Sequence, residues 1–196
     1  MAVLTGGLTA CGDDSEPQES TTTASPIDRS TDSPSSSESS SSSGSETSSG
    51  DGSGDDAELP DDLPPEARKN TKEGAAAFGE YYLLTYGDAA KTGDVQDLQS
   101  LAAKDCSVCS KAEQGIQDDK AKGWTRDKNP YTINKSSATK RPDAGYKVRM
   151  DVSVAKHHRI DSDGDVNADI DATKYTVTEH VVWVDGHWQM MDWIVT

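Results

Sequence analysis

Val181-Val182-Trp183-Val184-Asp185-Gly186-His187-Trp188-Gln189-Met190-Met191-Asp192-Trp193-Ile194-Val195 reads as a β-hairpin at the end of the chain. Asp185-Gly186 is a two-residue turn signal, because both central positions of a type I′ turn require positive φ. Its arms are apolar on both faces, which predicts a place at the sheet centre or on a face that meets another subunit. Further back, Tyr146, Val148, Met150, Val152 and Val154 alternate with polar residues, and so do Val166, Ala168, Ile170 and Ala172; Asp163-Gly164 turns the chain between the two runs. Tyr175, Val177, Val181 and Trp183 then fall on odd positions. A one-residue bulge near Lys174 is therefore expected to bend one long strand and curl the sheet.

Before Trp124 the apolar period is helical. Asn70 with Glu73 has capping-box spacing and is the expected start of the first helix. Phe78, Tyr81, Tyr82, Tyr86 and Ala89 form a stripe on one face of that helix, either as core or as the wall of a pocket. Asp94 is placed to cap a short second helix carrying Val95, Leu98, Leu101 and Ala102, and a polar third helix follows towards Gly123. Helices followed by strands predict an α+β domain over residues 66–196, with about three N-terminal helices packed on a curled antiparallel sheet of about four strands.

Charge divides the chain. It carries 19 basic and 35 acidic residues, net −16, but residues 1–66 hold 15 of the acids and only one base, Arg29. The remainder, with 20 acids and 18 bases, is nearly neutral. That balance offers no clustered basic face for nucleic acid. Residues 12–65 are Ser, Thr, Asp, Glu, Gly and Pro with few aliphatic side chains. Such a tract cannot offset an ordering entropy of roughly 1–2 kcal/mol per residue, and is expected to be a disordered tether spanning about 40 Å as a coil.

Leu8-Thr9-Ala10-Cys11, at the head of that tract, resembles a bacterial lipobox, in which Cys11 becomes the lipid-bearing amino terminus after cleavage. Residues 1–10 then read as a partial signal peptide. They lack a basic n-region and a full apolar h-region of about 7–15 residues, so the true start is expected upstream of Met1. The resemblance implies a diacylglyceryl anchor on Cys11 at the extracytoplasmic face of the membrane.

Asp105-Cys106-Ser107-Val108-Cys109 carries two cysteines at Cys-x-x-Cys spacing. Outside the membrane such a pair oxidises, which favours a Cys106–Cys109 disulfide over thiol exchange or a metal site; a zinc site needs a second ligand pair, and His157-His158 are adjacent rather than spaced as ligands. Asp161-x-Asp163-Gly164-Asp165-x-Asn167-x-Asp169 imitates a calcium loop, but placing Gly164 at position 6 puts Arg159 at position 1 and Ile170 at position 12, where carboxylates belong. It reads as a solvated hairpin. The reading includes no cofactor and no metal.

The aromatic helix ending Tyr86-Gly87-Asp88, the Gly93-Asp94-x-x-x-Leu98-x-x-Leu101 step and the closing Val184-Asp185-Gly186-His187-Trp188 hairpin resemble the nuclear-transport-factor-2-like and SnoaL-like superfamily. With Cys11, the Ser-rich tract and the Cys106/Cys109 pair, the chain is similar to actinobacterial lipoproteins of uncharacterised function. The resemblance implies a cone-shaped fold and one of two activities. The first is noncatalytic binding or assembly, with a small hydrophobic ligand, a cell-envelope protein or a second copy as partner. Its pocket residues would come from Phe78, Tyr81, Tyr82, Tyr86, Trp183 and Trp188. The second is isomerase or cyclase chemistry, in which a buried carboxylate abstracts a proton. Asp192, flanked by Met190 and Ile194, is the candidate base with Tyr82 and His180 assisting; otherwise Asp192 pairs with a cation such as Arg149.

Overall fold

The computed structural model describes residues 59–196. The expected leader, Cys11 and residues 12–58 of the expected tether lie outside them. No helix among the described residues is long and apolar enough to cross a membrane.

Packing begins within residues assigned to the tether. Leu63 is buried ahead of a 3-10 turn, Pro65–Arg68, and the Arg68 guanidinium donates to the carbonyls of Pro60 and Leu63, each at 3.1 Å. Helix α1 spans Lys72–Thr92. Its N-cap is Thr71, whose hydroxyl accepts from the Gly74 N–H at 3.0 Å, rather than Asn70. The Thr71 N–H is itself tied to the Lys69 carbonyl at 2.8 Å, closing a three-residue turn about Asn70 that keeps Asn70 ahead of the helix. Gly93, at φ 71°, closes the helix in the left-handed region that favours glycine. Asp94 then accepts from the Gln96 N–H at 3.1 Å and starts α2, Gln96–Leu101. Helix α3 spans Ser107–Ala121.

Seven antiparallel strands follow among the described residues: β1 (Thr125–Arg126), β2 (Tyr131–Lys140), β3 (Tyr146–Val154), β4 (His157–Ile160), β5 (Val166–Ile170), β6 (Thr173–Val184) and β7 (His187–Val195). They form two sheets, one ordered β2-β3-β6-β7 and a smaller one ordered β1-β4-β5. The domain is thus α+β, as expected, but with a second sheet. The phase slip near Lys174 marks a change of sheet, not a bulge: the chain breaks at Asp171 and Ala172, leaving β5 in the small sheet and starting β6 in the large one. The fourth strand of the large sheet is β2, whose polar sequence, with only Tyr131, Ile133 and Ala138 apolar, carries little alternation.

The closing hairpin turns at Asp185 (φ 48°) and Gly186 (φ 87°), both positive as a type I′ turn requires. Its second arm lies at the sheet edge rather than the centre. The Ala103 N–H reaches the Met190 carbonyl at 2.9 Å and so covers part of that edge. On the inner face, Val148, Met150 and Val152 of β3 meet Val177 and Val181 of β6 and Met190 of β7. Helix α1 packs against all four strands of this sheet.

Candidate functional site: an aromatic cavity beneath the first helix

Alternation along β6 sets the inward positions at Tyr175, Val177, Glu179 and Val181. Glu179 therefore points into the domain, between Val148 of β3 and Trp193 of β7, and is 2% exposed. Its carboxyl oxygen Oε2 packs against Gly79 of α1, a position where any Cβ would collide with it. Beside it lies a cavity of about 160 Å³. Tyr82, Leu83 and Tyr86 of α1 form one wall, Tyr131 and Tyr175 another, and Val177, Trp193 and Val195 complete it.

Two polar atoms of this lining have no hydrogen-bond partner among the described residues: Glu179 Oε2 and the Trp193 indole N–H. An isolated charge removed from water costs several kcal/mol, so burial holds the Glu179 carboxyl well above the usual carboxylate range, and the like charge of Glu80 pushes it the same way. Glu80 itself accepts from the Ser136 hydroxyl. Burial likewise raises the Tyr82 phenol, with Glu113 and Glu179 adding to the effect. Behind the lining, the Arg126 guanidinium donates to the Tyr131 hydroxyl at 3.0 Å and lies 5.9 Å from the Tyr86 ring centre. Burial also raises Tyr175, followed by the neighbouring Tyr131.

The residues singled out from sequence separate into three places. Tyr82 and Tyr86 line the cavity, while Phe78 is wholly in the core and Tyr81 donates to Asp62 at 2.5 Å. Trp183 and Trp188 stack edge-on, centroids 5.1 Å apart, at the opposite end of the sheet; the Trp188 indole donates to the Lys69 carbonyl at 3.0 Å. Asp192 and His180 pair across β6 and β7 on the outer face, and Asp192 is exposed. The cause is a bulge. Val181 pairs with Met190 but His180 pairs with Asp192, so Met191 is the extra residue and the inward phase moves from even to odd positions. Without it Asp192 would occupy the place that Trp193 takes. Arg149 does not pair with Asp192; it reaches Thr176 Oγ1 at 3.3 Å and Asp151 at 4.0 Å. His180 Nε2 donates to the Ala144 carbonyl at 3.1 Å.

Glu179 was legible only as an interruption. It occupies the same odd phase as Tyr175, Val177, Val181 and Trp183, and a charged residue inside an inward-facing series is the signal for it. Cys106 and Cys109 are joined in a disulfide and both are buried at the start of α3. In the acidic loop, Asp161 Oδ1 accepts from the N–H groups of Asp163 (3.0 Å) and Asp165 (2.9 Å), so that oxygen caps the turn.

The described residues form an α+β domain with a cavity beside a buried carboxyl group. Residues 60–193 match the model of a family of unknown function, DUF6318, and the chain belongs to that family. No curated protein matches it. Among solved structures it is similar to the intermembrane-space region of the chloroplast protein ARC6, at 16% identity and TM-score 0.48, covering 65% of this chain and 97% of that one. It is similar also to Aln2 from a Streptomyces species, at 11% identity and TM-score 0.41, covering 70% and 93%. A protein of unknown function with a cystatin-like fold from Nostoc punctiforme follows at 12% and 0.36, covering 59% and 85%. Likeness at this level leaves the function to the chain's own residues.

Proposed function

We propose that this protein is a lipid-anchored binding protein of the actinobacterial cell envelope, attached through Cys11, whose nuclear-transport-factor-2-like, cone-shaped domain takes a small hydrophobic ligand beneath α1. The observation that carries the binding reading is the cavity itself: five aromatic side chains around about 160 Å³, with polar atoms of Glu179 and Trp193 left without partners among the described residues. Pockets of this kind combine apolar walls with a few polar groups that orient the guest. Anchoring and compartment are supported by the Leu8–Cys11 sequence and by a bonded cysteine pair, which suits an oxidising environment. Val195→Trp, at an exposed position of the cavity rim, tests the binding reading. Saturable calorimetric binding of indole by the full chain, weakened at least tenfold by the variant at unchanged melting temperature, supports it. Equal binding by both proteins, or none by the wild type, contradicts it. Anchoring predicts that radiolabelled fatty acid is incorporated in an actinobacterial host and lost in Cys11→Ala.

The buried carboxyl beside the cavity favours a second reading, isomerase or cyclase chemistry with Glu179 as the general base instead of the exposed Asp192. Only the ionised form of Glu179 takes a proton, so turnover of an enolisable ketone would rise with pH through its elevated pKa. It would vanish in Glu179→Gln and persist in Asp192→Asn.

A further inference from the structure

We propose that the cavity beneath α1 selects a small organic cation, a primary ammonium group seated against Glu179 with its carbon substituents held by the surrounding aromatic rings. This rests on the cavity being a ligand site. Glu179 brings an acceptor oxygen that is buried, borders the cavity and has no donor among the described residues. A primary ammonium supplies that donor and the missing counter-charge together. Burial and the neighbouring Glu80 carboxylate both disfavour an unpaired Glu179 anion, and a cation at this oxygen offsets both.

The walls point to the same chemistry. Aromatic rings carry a negative quadrupolar face and attract cations within about 6 Å, more strongly when water is excluded. Two of these rings already do so, since the Arg126 guanidinium lies 5.9 Å from the Tyr86 centroid and 6.0 Å from that of Tyr131. Arg126 is bound to the Tyr131 hydroxyl and is not among the residues lining the cavity. Glu179 Oε2 is left without a donor among the described residues. Size sets the last limit: a cavity of about 160 Å³ is close to the ~150 Å³ that admits a benzene-sized guest.

Binding is coupled to a proton. Burial pushes the apo carboxyl towards its neutral form, so seating the ammonium draws the Glu179 proton out to solvent and leaves an ion pair in the cavity. tert-Butylammonium and its neutral isostere tert-butanol are the probes, titrated into the full chain with the Trp193 indole N–H followed by NMR and the heat measured in two buffers of different ionisation enthalpy. The expected result is at least tenfold preference for the ammonium, net proton release, and loss of the preference in Glu179→Gln with alcohol binding retained. Alcohol binding as tight as, or tighter than, the ammonium overturns the cation proposal and leaves the cavity a neutral-ligand site. Failure of both probes to shift the Trp193 signal overturns the cavity reading as well.

Discussion

Glu179 interrupts the alternation of an otherwise apolar strand face, and its environment sets its protonation. Because its folded pKa is raised above that of the unfolded chain, the folded state holds more protons between the two values. Stability is then fully present below the unfolded pKa and is lost as pH rises towards the folded one. Urea unfolding should show this as a falling midpoint from about pH 4.3 upwards, and Glu179→Gln should flatten the slope. The variant should also be the more stable protein under alkaline conditions, where the wild type must bury an unpaired charge. A wild-type profile with no greater slope than that of the variant would show that the carboxyl titrates normally. Reading the charge at 179 as an inward residue requires knowing which face is inward, which the flanking valines supply. Reading Asp192 as outward requires knowing of the bulge at Met191, which no residue type announces.

Helix α1 and strand β6 are held at their separation by Gly79, whose missing side chain admits the Glu179 carboxyl and lies against Val148. Gly79→Ala would raise helix propensity, yet its methyl group must displace a carboxyl packed between helix and sheet. The expected net effect is destabilisation of about 1–3 kcal/mol, measured by urea midpoint, with partial recovery in the Gly79→Ala/Glu179→Ala double variant. Equal stability of Gly79→Ala and wild type would mean that the helix can lift away freely. The elements themselves were unequally legible. Strong signals such as the Asp185-Gly186 turn and the aromatic stripe of α1 correspond to real elements, because local chemistry dictates them. Strand β2 is held by its pairing with β3 and by α1, and its own polar sequence gives no hint of that. The change of phase near Lys174 was visible, but a bulge and a change of sheet produce the same pattern in sequence.

Across the whole molecule, charge, covalent links and packing act in different places. The acidic excess is concentrated in residues 1–66, while the cavity and disulfide lie in the nearly neutral remainder. The Cys106–Cys109 link closes a very short loop, so the entropy it removes from the unfolded chain stabilises the fold by about 2 kcal/mol. The Cys106→Ala/Cys109→Ala variant should unfold at lower urea and still bind the cavity ligand, because neither cysteine lines the cavity; loss of binding in the folded variant would tie the pair to function. The measurement closest to the central claim is the carbon-13 signal of the Glu179 side-chain carboxyl in the full chain, followed against pH with and without tert-butylammonium. The expected result is a carboxyl that titrates well above the ordinary glutamate range without ligand and is drawn to its ionised form when the ammonium binds. A ligand-free carboxyl that titrates in the ordinary glutamate range would contradict it.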